Sequence, residues 1–477
     1  MAGSGAARLP ALARDPEIVG LTADSREVKP GFLFAALPGS RDDGRRFIAD
    51  AVAKGAAAIL TDAPDETDAN VAVIADPNPR RFLAGMAARF YAPQPKTVAA
   101  VTGTNGKTSV TVFLRQIWEK LELRAASFGT IGIFGPGVVR PGSLTTPDPV
   151  TLHRELRELA RAGIDHVALE ASSHGLEQYR LDGLALSAAA FTNLTRDHLD
   201  YHRDMEAYFA AKARLFTELL PRGATAVFNI DAGETARLSM LSRGRGHRIL
   251  SYGRNPAADL WLSDSLPEGV GQRIRFSGFG EKRDVLVPLL GTFQAYNALA
   301  AACLAIGCGA PPSAVLDTIG TLSGVPGRMQ RIGDAAVIVD YAHTPDALET
   351  ALKALRPFCQ GRLVVVFGCG GDRDPGKRPQ MGAIAQQLAD RVIVTDDNPR
   401  SEEPASIRRA ILAACPKAEE IGDREAAIRA ALGAMAPRDL VLIAGKGHER
   451  GQIVAGKTLP FDDADVARAI LGIGAGQ

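Results

Sequence analysis

Cysteine is scarce and unpatterned in this sequence. The five that occur, Cys303, Cys308, Cys359, Cys369 and Cys415, form no C-x-x-C pair and no dense framework. Their spacing argues against a disulfide-stapled scaffold or a structural zinc site and fits a reducing compartment, with the thiols acting as small buried side chains. A surplus of one charge is also missing, because 55 Lys and Arg face 54 Asp and Glu for a net charge of +1. No broad field exists to gather nucleic acid or an anionic membrane surface, although a small anion could be held locally. Long apolar runs are absent too. The opening MAGSGAARLPALARDPEIVG lacks the apolar segment of a signal peptide, and the most apolar stretch, residues 298–310, is too short to span a bilayer. A cytoplasmic protein is expected. What remains is ordinary globular composition, 46% hydrophobic and 23% charged over 477 residues, with material for roughly two to four domains.

Three domains are expected. Short apolar runs at 97–102, 166–169, 188–192 and 224–230 have the length of buried parallel strands, with helical patterns between most of them. A second set lies at 335–340, 362–367, 391–395 and 439–444, separated by helix-like segments such as 346–356, where Leu348, Leu352 and Leu355 share a face. Each set reads as an α/β domain, and the SGVPGR cluster at 323–328 makes a boundary or hinge between them. The first 96 residues, ending in YAPQPK, form a further unit whose topology the sequence leaves open.

Polar, Gly-rich or charged clusters follow nearly every predicted strand. GTNGKTS, EASSH and NLTRDHLDYH belong to the first set; DYAHTPD, GCGGDRD, DDNPR and GKGHE belong to the second. Ligands of doubly wound sheets bind at the carboxyl ends of strands, so these clusters should converge, with the two sets facing each other across a cleft.

Gly103-Thr104-Asn105-Gly106-Lys107-Thr108 lies between an apolar strand and a helix striped by Val110, Phe113, Leu114, Ile117 and Leu121. That is the setting of a phosphate loop. Glycines let backbone N–H groups wrap a phosphate, Lys107 reaches the outer phosphates and the Thr108 hydroxyl suits Mg²⁺. Val101 occupies the first glycine position of the full motif, and the competing reading is an ordinary strand-to-helix turn. Glu170 and His198 follow two strands read as neighbours. Alone each reads as a surface or capping residue, but a carboxylate beside Thr108 suits a hard cation, with His198 a less typical extra ligand. In 205–219 the apolar stripe Met205, Tyr208, Phe209, Leu215, Phe216 and Leu219 includes Lys212. Its ammonium could snorkel outward, or a buried, neutral amine could add CO₂ and become an anionic metal ligand.

In combination TGTNGKTS, EASSHGL, NLTRDHLDYH, AKARLF, FQAYNALAA, GRMQ, DYAHTPD, DNPR and GKGHE resemble the Mur ligases across essentially the whole chain, in particular the members that add meso-diaminopimelate. The resemblance implies a three-domain α/β fold: a UDP-substrate-binding domain at 1–96, a central P-loop ATPase domain at 97–326 and a Rossmann-like, amino-acid-binding domain at 327–477. It implies ATP and Mg²⁺ as cofactors, UDP-N-acetylmuramoyl-L-Ala-D-Glu and meso-diaminopimelate as substrates, a monomer, and a place in peptidoglycan synthesis, hence in cell-wall biogenesis, cell shape and division. Lys107, Lys212, His198 and Glu170 would be catalytic. Gly103, Thr104, Asn105, Gly106, Lys107, Thr108 and Ser109 would hold ATP phosphates, with Asn297, Arg328, Asp340 and His343 around the nucleotide. The metal would take Thr108, Glu170, His198 and Lys212 as its carbamate. The UDP-muramyl substrate would meet Ser25, Ser40, Arg41, Asp42, Thr145, Thr146, Ser172, Gln178 and Arg180. Leu144 stands where some relatives carry asparagine.

Meso-diaminopimelate has a distal carboxylate that L-lysine lacks. Arg400 in DNPR offers a planar fork for it, while Asp397 and Glu449 can bind the distal ammonium. By resemblance Arg373, Asn398, Pro399 and Gly445 complete that pocket, and lysine-adding relatives lack the arginine. Arg400 as a solvated turn charge is the competing reading. A lysine-adding Mur ligase, another Mur ligase or a folylpolyglutamate synthetase would share the ATP site, and DNPR speaks against each. A nucleotide-binding switch would carry an N-K-x-D motif, which does not occur, and a dinucleotide oxidoreductase a G-x-G-x-x-G fingerprint, which GCGGDR does not match.

Overall fold

The computed structural model describes residues 15–39, 42–64, 71–142, 144–199 and 201–474. Packing groups the chain into two compact units, one of 1–96 with 146–165 and 171–185, the other of 97–145, 166–170 and 186–477.

The first unit supplies the topology the sequence left open. Its parallel sheet runs Gly20–Thr22, Phe32–Ala35, Ala58–Thr61, Ala72–Ala75 in sequence order. Leu83 and Ala87 of the helix Pro79–Phe90 pack with Leu33, Leu60 and Ile74. A helix from mid-sequence, Pro149–Arg161, adds Val150 to the same core. Its start is set by Pro149 and by the Asp148 carboxylate, which accepts the N–H groups of Val150 and Thr151 at 3.0 Å each.

The larger unit contains an eleven-stranded sheet. Its parallel body runs Leu260–Glu268, Arg248–Gly253, Thr225–Asn229, Leu186–Phe191, Thr97–Thr102, His166–Glu170, Ala125–Gly129. Antiparallel strands extend both edges, Gly271–Gly278 and Glu281–Val287 on one side, Gly132–Gly135 and Val138–Arg140 on the other. The predicted apolar runs are central strands, with ends within two residues of expectation. Thr97–Thr102 has His166–Glu170 on one side and Leu186–Phe191 on the other, so strand order reverses beside it. A crevice opens outside the carboxyl end of a strand at such a reversal.

Val110, Phe113, Leu114 and Ile117 of the helix Lys107–Lys120 pack against the Ala-rich helix Thr292–Gly307 in one core. The apolar segment 298–310 therefore lies largely in a helix that is apolar all round because it is buried. No described helix is long and apolar enough to cross a membrane.

A second sheet in this unit has the order Gln330–Arg331, Val337–Asp340, Leu440–Ala444, Leu363–Phe367, Arg391–Val394, Glu419–Glu420, parallel except at the first pair. Separate cores cover its two faces. The predicted helix at 346–356 spans Pro345–Leu355, with Thr344 accepting the Ala347 N–H at 3.3 Å, and Leu348, Leu352 and Leu355 are fully buried.

Candidate active site

Two glycines shape the loop after Thr97–Thr102. Gly103 has φ +147° and a Cβ there would lie 1.9 Å from Thr192 Oγ1; Gly106 has φ +91° and a Cβ there would lie 2.5 Å from Asn297 Oδ1. Both conformation and space demand glycine. The adjacent strand end braces the loop: Thr104 N donates to Asn193 O at 2.9 Å, Asn105 N to Asn193 Oδ1 at 2.9 Å, and Thr192 Oγ1 to Asn105 O at 2.6 Å. The helix Lys107–Lys120 begins at Gly106, so the positive end of its dipole meets the loop.

Two lysines meet at one carbonyl. Lys107 Nζ donates to Gly103 O and Thr104 O at 2.9 Å each, and Lys212 Nζ donates to Gly103 O at 2.8 Å. Lys212 is 1% exposed and lies 4.3 Å from the centre of the Tyr208 ring, on the inward face of the helix Met205–Arg214, before a π-helical turn at Leu215–Leu219. Burial, then the neighbouring Lys107, pulls Lys212 well below the usual lysine range. Burial also lowers Lys107, with Glu170 and Asp197 opposing. Two ammonium groups sharing one carbonyl repel, and Lys212 is the one favoured to go neutral.

A cavity of about 460 Å³ opens beside the loop, lined by Asn105, Gly106, Ser109 and Asn297 from the first sheet's side and by Arg328, Asp340, Tyr341 and His343 from the second. Asn105 Nδ2 donates to Asp346 Oδ2 at 3.1 Å. Arg328 stacks 4.4 Å over Tyr341, and its Nη2 lies 3.5 Å from Thr108 Oγ1. Its Nη1 lies 3.2 Å from His448 Nδ1. Burial, then Arg328, pushes His448 down to about 3, so its neutral ring can accept. Asp340 accepts the N–H groups of Met329 at 2.6 Å and Ala342 at 2.8 Å, and burial raises its carboxyl against the pull of Arg328. His343 is lowered by burial and then by Lys377.

Glu170 is 1% exposed, accepting from Thr130 N at 2.8 Å and Thr130 Oγ1 at 2.9 Å. His198 pairs with Asp197 at 3.5 Å. Among the described residues no group of three or more His, Cys, Asp and Glu could hold a metal alone. A Mg²⁺ that keeps several waters and binds substrate phosphates needs only one or two protein oxygens, and the Thr108 hydroxyl and Glu170 carboxylate fit that demand.

At the second sheet, Asp397 and Asn398 are buried after Arg391–Val394. Asn398 Nδ2 donates to Glu449 Oε2 at 2.8 Å, and fully buried Lys446 donates to Asn398 Oδ1 and Glu449 Oε2 at 3.1 Å each. Gly445 lies against Asp397, whose Oδ2 a Cβ would approach to 2.5 Å. Arg400 Nη1 donates to Gly371 O at 2.7 Å, while Arg373 is exposed.

The first unit has its own cavity of about 590 Å³, lined by Asp24, Ser25, Arg26, Asp42, Arg80, Gln178 and Arg180. Arg180 donates to Thr146 O and Gln178 Oε1 at 2.7 Å each. Ser172 caps the short helix Ser173–Glu177 through the Gly175 N–H, and its own N–H donates to Thr146 Oγ1 at 3.0 Å. In the larger unit, Thr145 Oγ1 lies 2.9 Å from Thr130 Oγ1. Ser40 and Arg41 lie outside the described residues.

Three family models match in succession: "Mur ligase family, catalytic domain" over 17–91, "Mur ligase middle domain" over 101–305 and "Mur ligase, glutamate ligase domain" over 327–447. The chain belongs to the Mur ligase family. It is 53% identical to the UDP-N-acetylmuramoyl-L-alanyl-D-glutamate--2,6-diaminopimelate ligase of Bradyrhizobium diazoefficiens, with 98% of each chain covered. It is 52% identical to the ligase of the same name from Caulobacter vibrioides, with 97% of each covered. A solved ligase of that name matches with TM-score 0.70 and 36% identity over 95% of each chain. Thermotoga maritima MurF in complex with ADP shares the fold, with TM-score 0.65 and 20% identity over 94% of this chain and 96% of that one.

Within this Mur ligase family member, sequence reasoning passed over Lys446, His448, Tyr208 and Arg80. The first two sat inside the GKGHE cluster, which was the available signal. Tyr208 read as core, and only its hydroxyl 3.2 Å from Thr104 Oγ1 ties it to the loop. Arg80 had no local signal.

Proposed function

We propose that this protein is an ATP-dependent amide ligase that joins meso-diaminopimelate to the D-glutamate γ-carboxylate of UDP-N-acetylmuramoyl-L-Ala-D-Glu in peptidoglycan synthesis. The observation that carries the reading is the cavity lined jointly by the phosphate loop and by Arg328, Asp340 and His343, together with relatives at 53% and 52% identity that bear the corresponding name. The domain division at 97 and 327 follows the same reading, with the muramyl nucleotide on the first unit's cavity and the amino acid beside Asp397, Arg400 and Glu449.

The γ-carboxylate attacks the γ-phosphate of ATP, an acyl phosphate forms and ADP leaves. The free amine then attacks the acyl carbon, the amide forms, and phosphate departs as the amine gives up a proton. Backbone N–H groups of 103–108 and the Lys107 ammonium hold the phosphates in line and offset their charge. Asn297, Arg328, Asp340 and His343 orient the nucleotide. Thr108 and Glu170, with His198 and Lys212 as its carbamate, are the residues that would hold Mg²⁺, and the ion when bound would supply charge neutralisation at the transferring phosphoryl group.

Phosphate release with ATP, Mg²⁺ and the muramyl dipeptide should depend on meso-diaminopimelate and be weak with L-lysine. Arg400→Ala should cost roughly 100-fold in kcat/KM for diaminopimelate, the scale of a lost charge-assisted bidentate pair. Equal turnover with both amines would remove Arg400 from the specificity argument. For Lys212, enzyme equilibrated with ¹³CO₂ should show a carbamate ¹³C signal that Lys212→Arg lacks, with turnover falling in the variant. Signal and activity both unchanged in Lys212→Arg would refute the modification.

A further inference from the structure

The GCGGDRD loop after Leu363–Phe367 is pressed against the DNPR loop, backbone to backbone. A Cβ at Gly371 would lie 1.9 Å from Pro399 O, and one at Gly370 would lie 2.7 Å from Arg400 Nη1. A single peptide group, that between Gly371 and Asp372, is gripped from both ends. Its carbonyl accepts from Arg400 Nη1 at 2.7 Å, and its N–H donates to Glu402 Oε1 at 2.6 Å. The C=O and N–H of a trans peptide point in opposite directions, so fixing the N–H on Glu402 aims the carbonyl at Arg400.

That orientation is not the one Asp372 prefers. Its φ is +54°, in the left-handed region that non-glycine residues seldom occupy. Rotation of the peptide about its flanking bonds would return Asp372 to negative φ and turn the Gly371 carbonyl away from Arg400. Glu402 opposes that rotation and is itself held, because Arg378 Nη2 donates to Glu402 Oε1 at 2.8 Å and Oε2 at 2.9 Å, with the Arg378 side chain only 7% exposed. Ser401 Oγ adds a 2.6 Å bond to Asp372 Oδ1. Arg400 also has positive φ, +56°, and its backbone is tied on both sides, Arg400 N to Ile453 O at 2.9 Å and Ala455 N to Arg400 O at 2.7 Å. The backbone of Arg400 and the carbonyl that orients its guanidinium are thus set separately, the latter through Glu402.

We propose that Glu402 is a positioning residue for selection of the incoming amino acid: by locking the Gly371–Asp372 peptide it holds the Arg400 guanidinium where a distal carboxylate is read. The proposal rests on the reading of Arg400 given above. A surface ion pair acting alone would matter little; this one, with Arg378 7% and Glu402 31% exposed, sets a strained peptide orientation that a specificity residue leans on.

The test is a double-mutant cycle on the full-length enzyme, with KM and kcat measured separately for meso-diaminopimelate, L-lysine and ATP. Glu402→Ala is expected to raise KM for diaminopimelate roughly 10-fold, on the scale of a displaced positioning group, with KM for ATP unchanged and discrimination against lysine reduced. Glu402→Gln keeps an Oε1 acceptor for the Asp372 N–H but gives up one of the two Arg378 contacts, and should recover part of the loss. In an Arg400→Ala background, Glu402→Ala should add little further effect, because both act on one interaction. Should Glu402→Ala fail to fold, Ser401→Ala removes a neighbouring tie and is expected to move the same KM in the same direction by less. A full Glu402 effect persisting without Arg400, or a wild-type KM in Glu402→Ala, would overturn the proposal. A wild-type enzyme that does not discriminate the two amines would instead overturn the underlying reading of Arg400.

Discussion

Replacing Lys107 with alanine is expected to lower turnover by roughly 100- to 1,000-fold, the range for removing one preorganised donor from a site of developing charge. Lys107 Nζ lies 2.9 Å from the carbonyls of Gly103 and Thr104, so the ammonium is folded over the same loop whose N–H groups would cradle phosphate. Burial pulls Lys107 below the usual lysine range, with Glu170 and Asp197 opposing, and the anionic oxygens of bound ATP would add to that opposition and favour the ammonium. Arginine should not rescue, because Lys107 Nζ is folded onto Gly103 O and Thr104 O at 2.9 Å each, and a longer, planar guanidinium does not reproduce the position of that compact ammonium. Single-turnover phosphate release separates this from a loss of binding, since the variant should lose the phosphoryl-transfer rate more than ATP affinity. An alanine variant within tenfold of wild type would remove Lys107 from the chemistry.

The second large effect concerns stability. Arg424 and Asp463 are both fully buried and paired twice, Nε to Oδ1 and Nη2 to Oδ2 at 2.7 Å each. The same guanidinium donates to Ala444 O at 3.0 Å and Asp396 O at 3.4 Å. Those carbonyls belong to the peptide groups that begin Gly445 and Asp397, so the pair joins two of the strand ends that carry the proposed amino-acid pocket. Asp463→Asn keeps the shape but leaves a buried cation without its counter-charge, which costs about 3–5 kcal/mol. Calorimetry should show the transition of the larger unit lowered by about 5–10 °C. The double replacement Arg424→Met with Asp463→Leu should regain part of that loss, because no charge is then stranded. An Asp463→Asn transition at the wild-type temperature would show that the pair contributes geometry without stability.

Legibility followed burial pattern. Runs such as 97–102 and 439–444 were readable because strands buried on both faces are continuously apolar, and the turn at Gly103 to Thr108 was readable because only glycine tolerates its backbone. The antiparallel extension at Gly271–Gly278 and Glu281–Val287 was not. Its Arg273, Arg275 and Asp284, with Asp264 of the adjoining strand, form a cross-strand charge ladder on an exposed face, so these strands lack the apolar signal that marks a core strand. The inward lysine at 212 was readable from helical spacing, whereas its sharing of Gly103 O with Lys107 was not, since the two come from separate helices.

By itself the sequence determined the α/β class, the central strands, the glycine turn at 103–108 and the clusters at strand ends, because each depends on local periodicity or on backbone freedom at single residues. Tertiary structure alone decided which clusters share a cavity, how residues 146–165 and 171–185 join the first unit, and how Glu402 reaches Arg400 through one peptide group. Those depend on long-range strand order and on contacts between loops far apart in the chain, which no local pattern encodes.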